Sequence, residues 1–179
     1  MRNKLSAAVS LVSAQIDPSS LAVETWVVGL ADIEAHTGQW TTSANNLETP
    51  KSSKSVFEIG DILFGKLRPE LRKCAIAPRA GVCSTDIIVL RPNDVRDVWY
   101  LNLMLRSDAV ITQVKRRTVG ASLPRIRPSD LLECTLPWPE TKIRYSYGIQ
   151  AKTVSDLRGT IRTMDDTLST IEYRLQSPE

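Results

Sequence analysis

Histidine is nearly missing from this chain: His36 is the only one in 179 residues, beside three cysteines and few aromatics. A single imidazole leaves no credible Ser/His/Asp relay. Cys74, Cys83 and Cys134 are odd in number, show no CxxC spacing and lie far from His36, which excludes a zinc site built on them. They read instead as small buried hydrophobes of a reduced cytoplasm. No glycine-rich cofactor loop and no Asn-Pro-Pro-aromatic tetrapeptide occurs, so no cofactor is expected and the chain is read as non-catalytic. Long apolar runs are lacking too, which excludes a membrane helix. The N-terminal MRNKLSAAVSLVSAQ is too short in its apolar stretch, and too broken by Ser and Gln, for a signal peptide. A cytoplasmic location follows as the expectation.

What is present is an apolar fraction of 42%, enough for a real core, and a mild excess of positive charge, +3 net with a pI near 8.8. The length fits one domain with an appendage. The distribution of charge says more than its total. Basic residues gather in Lys66, Arg68, Arg72, Lys73 and Arg79, and again in Lys115, Arg116, Arg117, Arg125 and Arg127. The first group sits in Gly60–Pro92, GDILFGKLRPELRKCAIAPRAGVCSTDIIVLRP, among short apolar runs and only three acids, Asp61, Glu70 and Asp86. Strand-rich sequence with clustered Lys and Arg makes a rigid cationic platform for a polyanion.

Short β-rich runs predict strands over 25–30, 55–57, 62–64, 73–77 and 82–90, forming one twisted sheet or partial barrel. Residues 1–20 are mixed, with a turn at Asp17-Pro18-Ser19-Ser20, and the polar 36–54 reads as a loop. Periodicity predicts helices over 98–105 and 109–114, with Ser107-Asp108 as a cap between them. Pro124 and Pro128 keep the following stretch extended, and Leu136-Pro137-Trp138-Pro139 is a stiff exit that marks a domain boundary. Beyond it the pattern changes. Val154, Leu157, Ile161, Met164, Leu168, Ile171 and Leu175 are spaced 3, 4, 3, 4, 3, 4. This is an a/d seam on a helix from about Ser146 to Leu175, roughly 45 Å long. So narrow a stripe suits a coiled-coil partner better than docking on its own domain.

Two near-motifs fail on their chemistry. Gly60-x-x-x-x-Gly65-Lys66 resembles a phosphate loop, but Leu67 stands where a hydroxyl should hold magnesium and Pro69 blocks the helix that should follow. Asp61 with Glu70-Leu71-Arg72 resembles a nuclease carboxylate set, but Arg72 cannot serve as a tunable base in place of Lys. The loop Thr118–Ile126 offers more: Gly120 permits close backbone approach, Thr118 and Ser122 supply hydroxyls, and Arg125 a charged fork. The plain alternative is a tight loop whose Arg125 pairs with a local acid.

The runs GDILFGKLRP (60–69), KCAIA (73–77), CSTDIIVLRP (83–92), YLNLMLRSD (100–108), TVGASLPRI (118–126) and LPWP (136–139) occur in this order. Together they resemble the central signature of the specificity subunits of type I restriction–modification enzymes, over roughly residues 55–175. The resemblance implies an α+β fold: a target recognition domain with a twisted, partly barrel-like sheet and a few helices, over residues 1–144. One long C-terminal coiled-coil helix then follows, over 145–179, for spacing and dimerisation. A usual member has two such domains and two such helices, so this chain resembles half a subunit. The segment PETKIRYSY (139–147) departs from the family's usual start to that helix. The resemblance implies double-stranded DNA as ligand, and an adenine methyltransferase subunit, with a restriction subunit, as partners. Homodimerisation through the helix would give a bipartite, palindromic target in phage defence. Lys66, Arg68, Arg72, Lys73, Thr118, Ser122 and Arg125 are the expected DNA contacts. The polar loop, through Gln39, Asn45, Asn46 and Lys51, is a candidate base reader. The other expectation is a repurposed or truncated recognition domain that acts as a protein-interaction module and has little DNA affinity of its own.

Overall fold

In the computed structural model, residues 1–22, 24–41, 52–120 and 122–176 are described. Ten strands and four helices follow one another in the described chain. The strands are β1 (Arg2–Lys4), β2 (Val9–Val12), β3 (Gln15–Ile16), β4 (Val27–Val28), β5 (Lys54–Phe57), β6 (Ile62–Gly65), β7 (Cys74–Ile76), β8 (Gly81–Cys83) and β9 (Ile87–Pro92). Helices α1 (Val98–Leu105), α2 (Asp108–Arg117) and α3 (Pro128–Leu132) precede β10 (Thr135–Pro137), and α4 (Thr141–Gln176) closes the chain. The architecture is the expected α+β with a long C-terminal helix.

The strands divide between two four-stranded sheets, in the orders β2-β9-β6-β7 and β3-β5-β8-β4, and a pair, β1-β10. All pairings are antiparallel except β4 with β8. The first sheet is the middle layer. Strand alternation sends Ile62, Phe64, Ile88 and Leu90 to one face, where they pack with Leu101, Leu105, Val110 and Val114 of the helices. Leu63, Ala75, Ile87 and Val89 point the other way, onto Val28, Phe57 and Cys83 of the second sheet and Trp26 just before β4. Burial on both faces is why β6 and β9 read as continuous apolar runs. All three cysteines are buried in these layers, and burial pushes the Cys74 and Cys83 thiols up to about 12.

Several expectations are corrected. The stretch 82–90 is two strands, because Ser84 accepts from Ile87 N (2.9 Å) and its hydroxyl accepts from Asp86 N (3.2 Å). That turn passes the chain from one sheet to the other. The strand expected over 25–30 shortens to Val27–Val28, and residues 1–20 contribute three strands. Pro128 opens a helix, since its missing N–H falls at a position with no intrahelical acceptor. The segment 36–54 ends in β5, and 42–51 lies outside the described residues.

Helix α4 begins at Thr141, ahead of the expected Ser146, and is bound to the domain from its first turn. Arg144 donates from Nε and Nη2 to both carboxylate oxygens of buried Asp97, at 2.9 and 3.1 Å, and stacks on Trp138. Gly148 passes close over Trp99 and Tyr100. Farther along, Gln39 Nε2 donates to Ser155 Oγ (2.7 Å), and Arg162 donates to Trp40 O (2.7 Å) and Glu34 Oε1 (2.5 Å). The Thr37 hydroxyl and nearby Arg162 hold Glu34 below the usual carboxylate range. The last 14 residues of α4, 163–176, project about 20 Å past this contact.

Candidate nucleic-acid interface

The first basic cluster sits on the turn between β6 and β7. Gly65 ends β6 where a Cβ would lie 2.9 Å from Leu30. The chain then bends through Arg68 (φ 48°), a short 3-10 turn over Pro69–Leu71, and Arg72 (φ 54°). The second cluster spans the last turn of α2 and the loop after it, and that loop is stitched to this turn by backbone. Arg68 N donates to Pro124 O (3.0 Å), and Ile126 N donates to Lys66 O (3.0 Å). Val119 and Arg125 exchange N–H···O bonds of 3.0 and 2.9 Å, closing the loop on itself. Two segments more than fifty residues apart in sequence are thus joined side by side.

The side chains divide sharply. Arg72 forks between Asp108 and Arg106 O (3.1 Å), tying the turn to the start of α2. Lys73 Nζ donates to Leu30 O (2.6 Å). Arg125 Nε lies 3.1 Å from Asp86 Oδ1, the local acid foreseen as its alternative, yet stays 44% exposed. Thr118 Oγ1 donates to Lys115 O (2.6 Å), closing the last turn of α2. Lys66 is half-buried, Ser122 is exposed, and the exposed Arg68 guanidinium meets no partner among the described residues. Lys115 and Arg116 in the last turn of α2, and Arg127 after the loop, are also exposed, and the basic run in the sequence was the signal for them. The set expected to touch DNA therefore has Arg68, Lys66 and half of Arg125 facing outward, with Arg72 and Lys73 engaged in the scaffold.

Gln39 is turned onto α4 and does not face outward as a base reader would. Asn45, Asn46 and Lys51 lie outside the described residues. Asp61 is a buried scaffold acid: Arg91 donates to both its oxygens at 2.8 and 2.9 Å, and Glu58 N to Oδ2 at 2.8 Å. Strand β6 occupies the stretch that resembles a phosphate loop. Among the described residues no His, Cys, Asp and Glu group could hold a metal ion, and no helix is long and apolar enough to cross a membrane.

The heptad residues are exposed along α4, Val154 at 47%, Leu168 at 56% and Leu175 at 81%. At about 100° per residue they lie on the side away from Arg144, Gly148, Ser155 and Arg162, which face the domain. One helix thus carries two faces, one docked and one apolar face left uncovered by the described residues.

No protein-family model matches the sequence. It is 29% identical over 109 residues, 58% of this chain and 24% of the relative, to the type I restriction enzyme EcoDI specificity subunit of Escherichia coli. The HsdS subunit from Thermoanaerobacter tengcongensis matches 98% of this chain with a TM-score of 0.68 at 18% identity. The type I restriction–modification S subunit from M. genitalium matches 95% with a TM-score of 0.62 at 13% identity. A chain from a type I R-M system studied for complex assembly and conformational transition matches 98% with a TM-score of 0.69 at 20% identity. The chain spans about a quarter of the curated relative, and 42–47% of these structures.

Proposed function

We propose, from its kinship with the specificity subunits of type I restriction–modification enzymes, that this chain is a non-catalytic DNA-recognition unit equivalent to half of such a subunit. Residues 1–144 form the recognition domain, and the rest of α4 beyond them is the spacer and dimerisation helix. The observation that carries this is the near-complete match of one domain plus one long helix to about half of solved specificity subunits, joined to sequence identity with a named one. Lys66, Arg68 and Arg125, with the hydroxyls of Thr118 and Ser122, hold the DNA backbone. Arg72 and Lys73 fix the turn that presents them. Two copies pair through Val154, Leu157, Ile161, Met164, Leu168, Ile171 and Leu175, and place two equal domains on an interrupted palindrome. A DNA adenine methyltransferase subunit, with a restriction subunit, acts at the site so marked.

The test is retention of random duplex DNA in a gel as salt rises. Affinity is expected to fall steeply and linearly on a log–log scale, because released counterions drive the binding. Weak, salt-independent retention would favour a protein-interaction module. Internal engagement of Arg72 and Lys73 is the observation on that side. Co-purification with an adenine methyltransferase checks the partner.

A further inference from the structure

A cavity of about 380 Å³ opens between α4, the end of α1 and the loop at His36, and it shares no lining residue with the basic surface at Arg68 and Arg125. Its two ends differ in chemistry. Tyr147 lines it from one end, and Arg158, on the same face of α4, stands three turns farther along, about 16 Å at 1.5 Å per residue. Ser155 and Arg106 line it beside Arg158. Burial, and to a smaller degree the charge of Arg158, hold the Arg106 guanidinium below its usual pKa, so the two cations stand within reach of one another. One end of the cavity is therefore cationic, and the other is lined by an aromatic ring.

The cationic end has hydrogen-bond donors left over. Arg106 donates to Thr37 O, to His36 O (3.2 Å), to Asn102 O (3.4 Å) and to Asn102 Oδ1 (3.0 Å). These bonds use four of its five N–H groups, and every acceptor is uncharged. The loop it clamps is fixed in place, since Gly38 (φ 69°) would put a Cβ 2.1 Å from Cys74 O. Ser155 Oγ accepts from Gln39 Nε2 (2.7 Å), and its own O–H meets no acceptor among the described residues. Arg158 is exposed, with no hydrogen bond or ion pair among the described residues. Glu34, which feels its charge, is already bonded to Arg162 and Thr37. Two guanidiniums and a hydroxyl thus face one space without a counter-charge, which suits an anion with several acceptor oxygens.

A bare phosphate would leave most of this volume empty. The rest of the lining includes the Tyr147 ring and the Leu103 side chain, against which a flat ring can pack. We propose that the cavity binds a phosphomonoester of nucleoside monophosphate size, its phosphate held by Arg158, Ser155 and Arg106 and its ring laid on Tyr147 and Leu103. Three terminal oxygens answer this donor set more fully than the two of a carboxylate. The ligand touches α4, the end of α1 and the His36 loop at once, so its binding strengthens the seat of the helix on the domain. This site is separate from DNA recognition and does not depend on it.

Titration calorimetry of the full chain with adenosine monophosphate tests this. One molecule per chain is expected to bind at sub-millimolar concentration. Adenosine and inorganic phosphate, each carrying one half of the ligand, are expected to bind at least about tenfold more weakly. Arg158→Gln removes an exposed fork that holds nothing in the fold, and is expected to weaken the nucleotide by about tenfold. Tyr147→Ala is expected to cancel the advantage of the nucleotide over inorganic phosphate. Saturating nucleotide should raise the unfolding midpoint of the wild type and not that of Arg158→Gln. No heat and no midpoint shift at millimolar nucleotide overturns the site, as does binding that Arg158→Gln leaves untouched. Binding abolished by Arg68→Gly and spared by Arg158→Gln would put the anion on the DNA-contact turn and overturn it equally. Inorganic phosphate bound as tightly as the nucleotide overturns the aromatic half.

Discussion

Arg68 and Arg72 both hold left-handed backbone at the two ends of one 3-10 turn, and only Arg72 has its side chain engaged. Such a conformation costs a non-glycine residue of order 1 kcal/mol or more, and glycine would avoid it. At Arg72 the ion pair to Asp108 gives a structural return. At Arg68 nothing among the described residues does, and the side chain is exposed next to the loop of Arg125. Arg68→Gly separates the two demands. Chemical denaturation is expected to show stability unchanged or raised by up to about 1 kcal/mol, as the strain is relieved. Duplex binding should weaken for all sequences, with the log–log salt slope smaller by about one per arginine removed. Loss of stability with unchanged binding would assign Arg68 to the scaffold. The sequence could not make this distinction. Lys66, Arg68, Arg72 and Lys73 look alike as a basic run, and what separates them is which remote group folds against each: Asp108 for Arg72, Leu30 for Lys73.

Helix α4 was legible in outline from its seam, because a 3–4 apolar repeat needs only local periodicity. Its first turn was not. PETKIRY has little apolar pattern, and what holds it is one buried ion pair with Asp97, 47 residues away in sequence. Asp97 and Arg144 are 4% and 8% exposed, so removing either partner strands a charge out of water. Arg144→Ala is therefore expected to cost about 3–5 kcal/mol. Thermal unfolding should show it, and hydrogen exchange should place the loosening at the start of α4. The strands divide in the same way. Strand β9 was readable as an apolar run, whereas β1 to β3 are short and polar on one side, and take their form from partners such as β9 and β10. The break between β8 and β9 rests on the turn from Ser84 to Ile87, held by one backbone bond and the Ser84 hydroxyl.

At the scale of the whole molecule, a three-layer domain anchors a helix whose outer face is apolar and uncovered by the described residues. The α+β class was legible because buried strands and periodic helices alternate plainly. The stacking of sheet on sheet was not, since it depends on which face of β6 each alternate residue meets. Leu168→Asp places a charge in the middle of the seam, at an exposed position of α4 beyond its contacts with Trp40 and Glu34. The variant is expected to keep the wild-type unfolding midpoint at low concentration and to sediment as a monomer at concentrations where the wild type is a dimer. On the proposed pairing, two domains joined by a symmetric helix pair would read DNA as two identical half-sites. Selection of duplexes from a random pool by the purified chain measures this directly. An interrupted palindrome with a constant spacer is expected to be enriched. Enrichment of a continuous asymmetric site, or of no sequence at all, would contradict it.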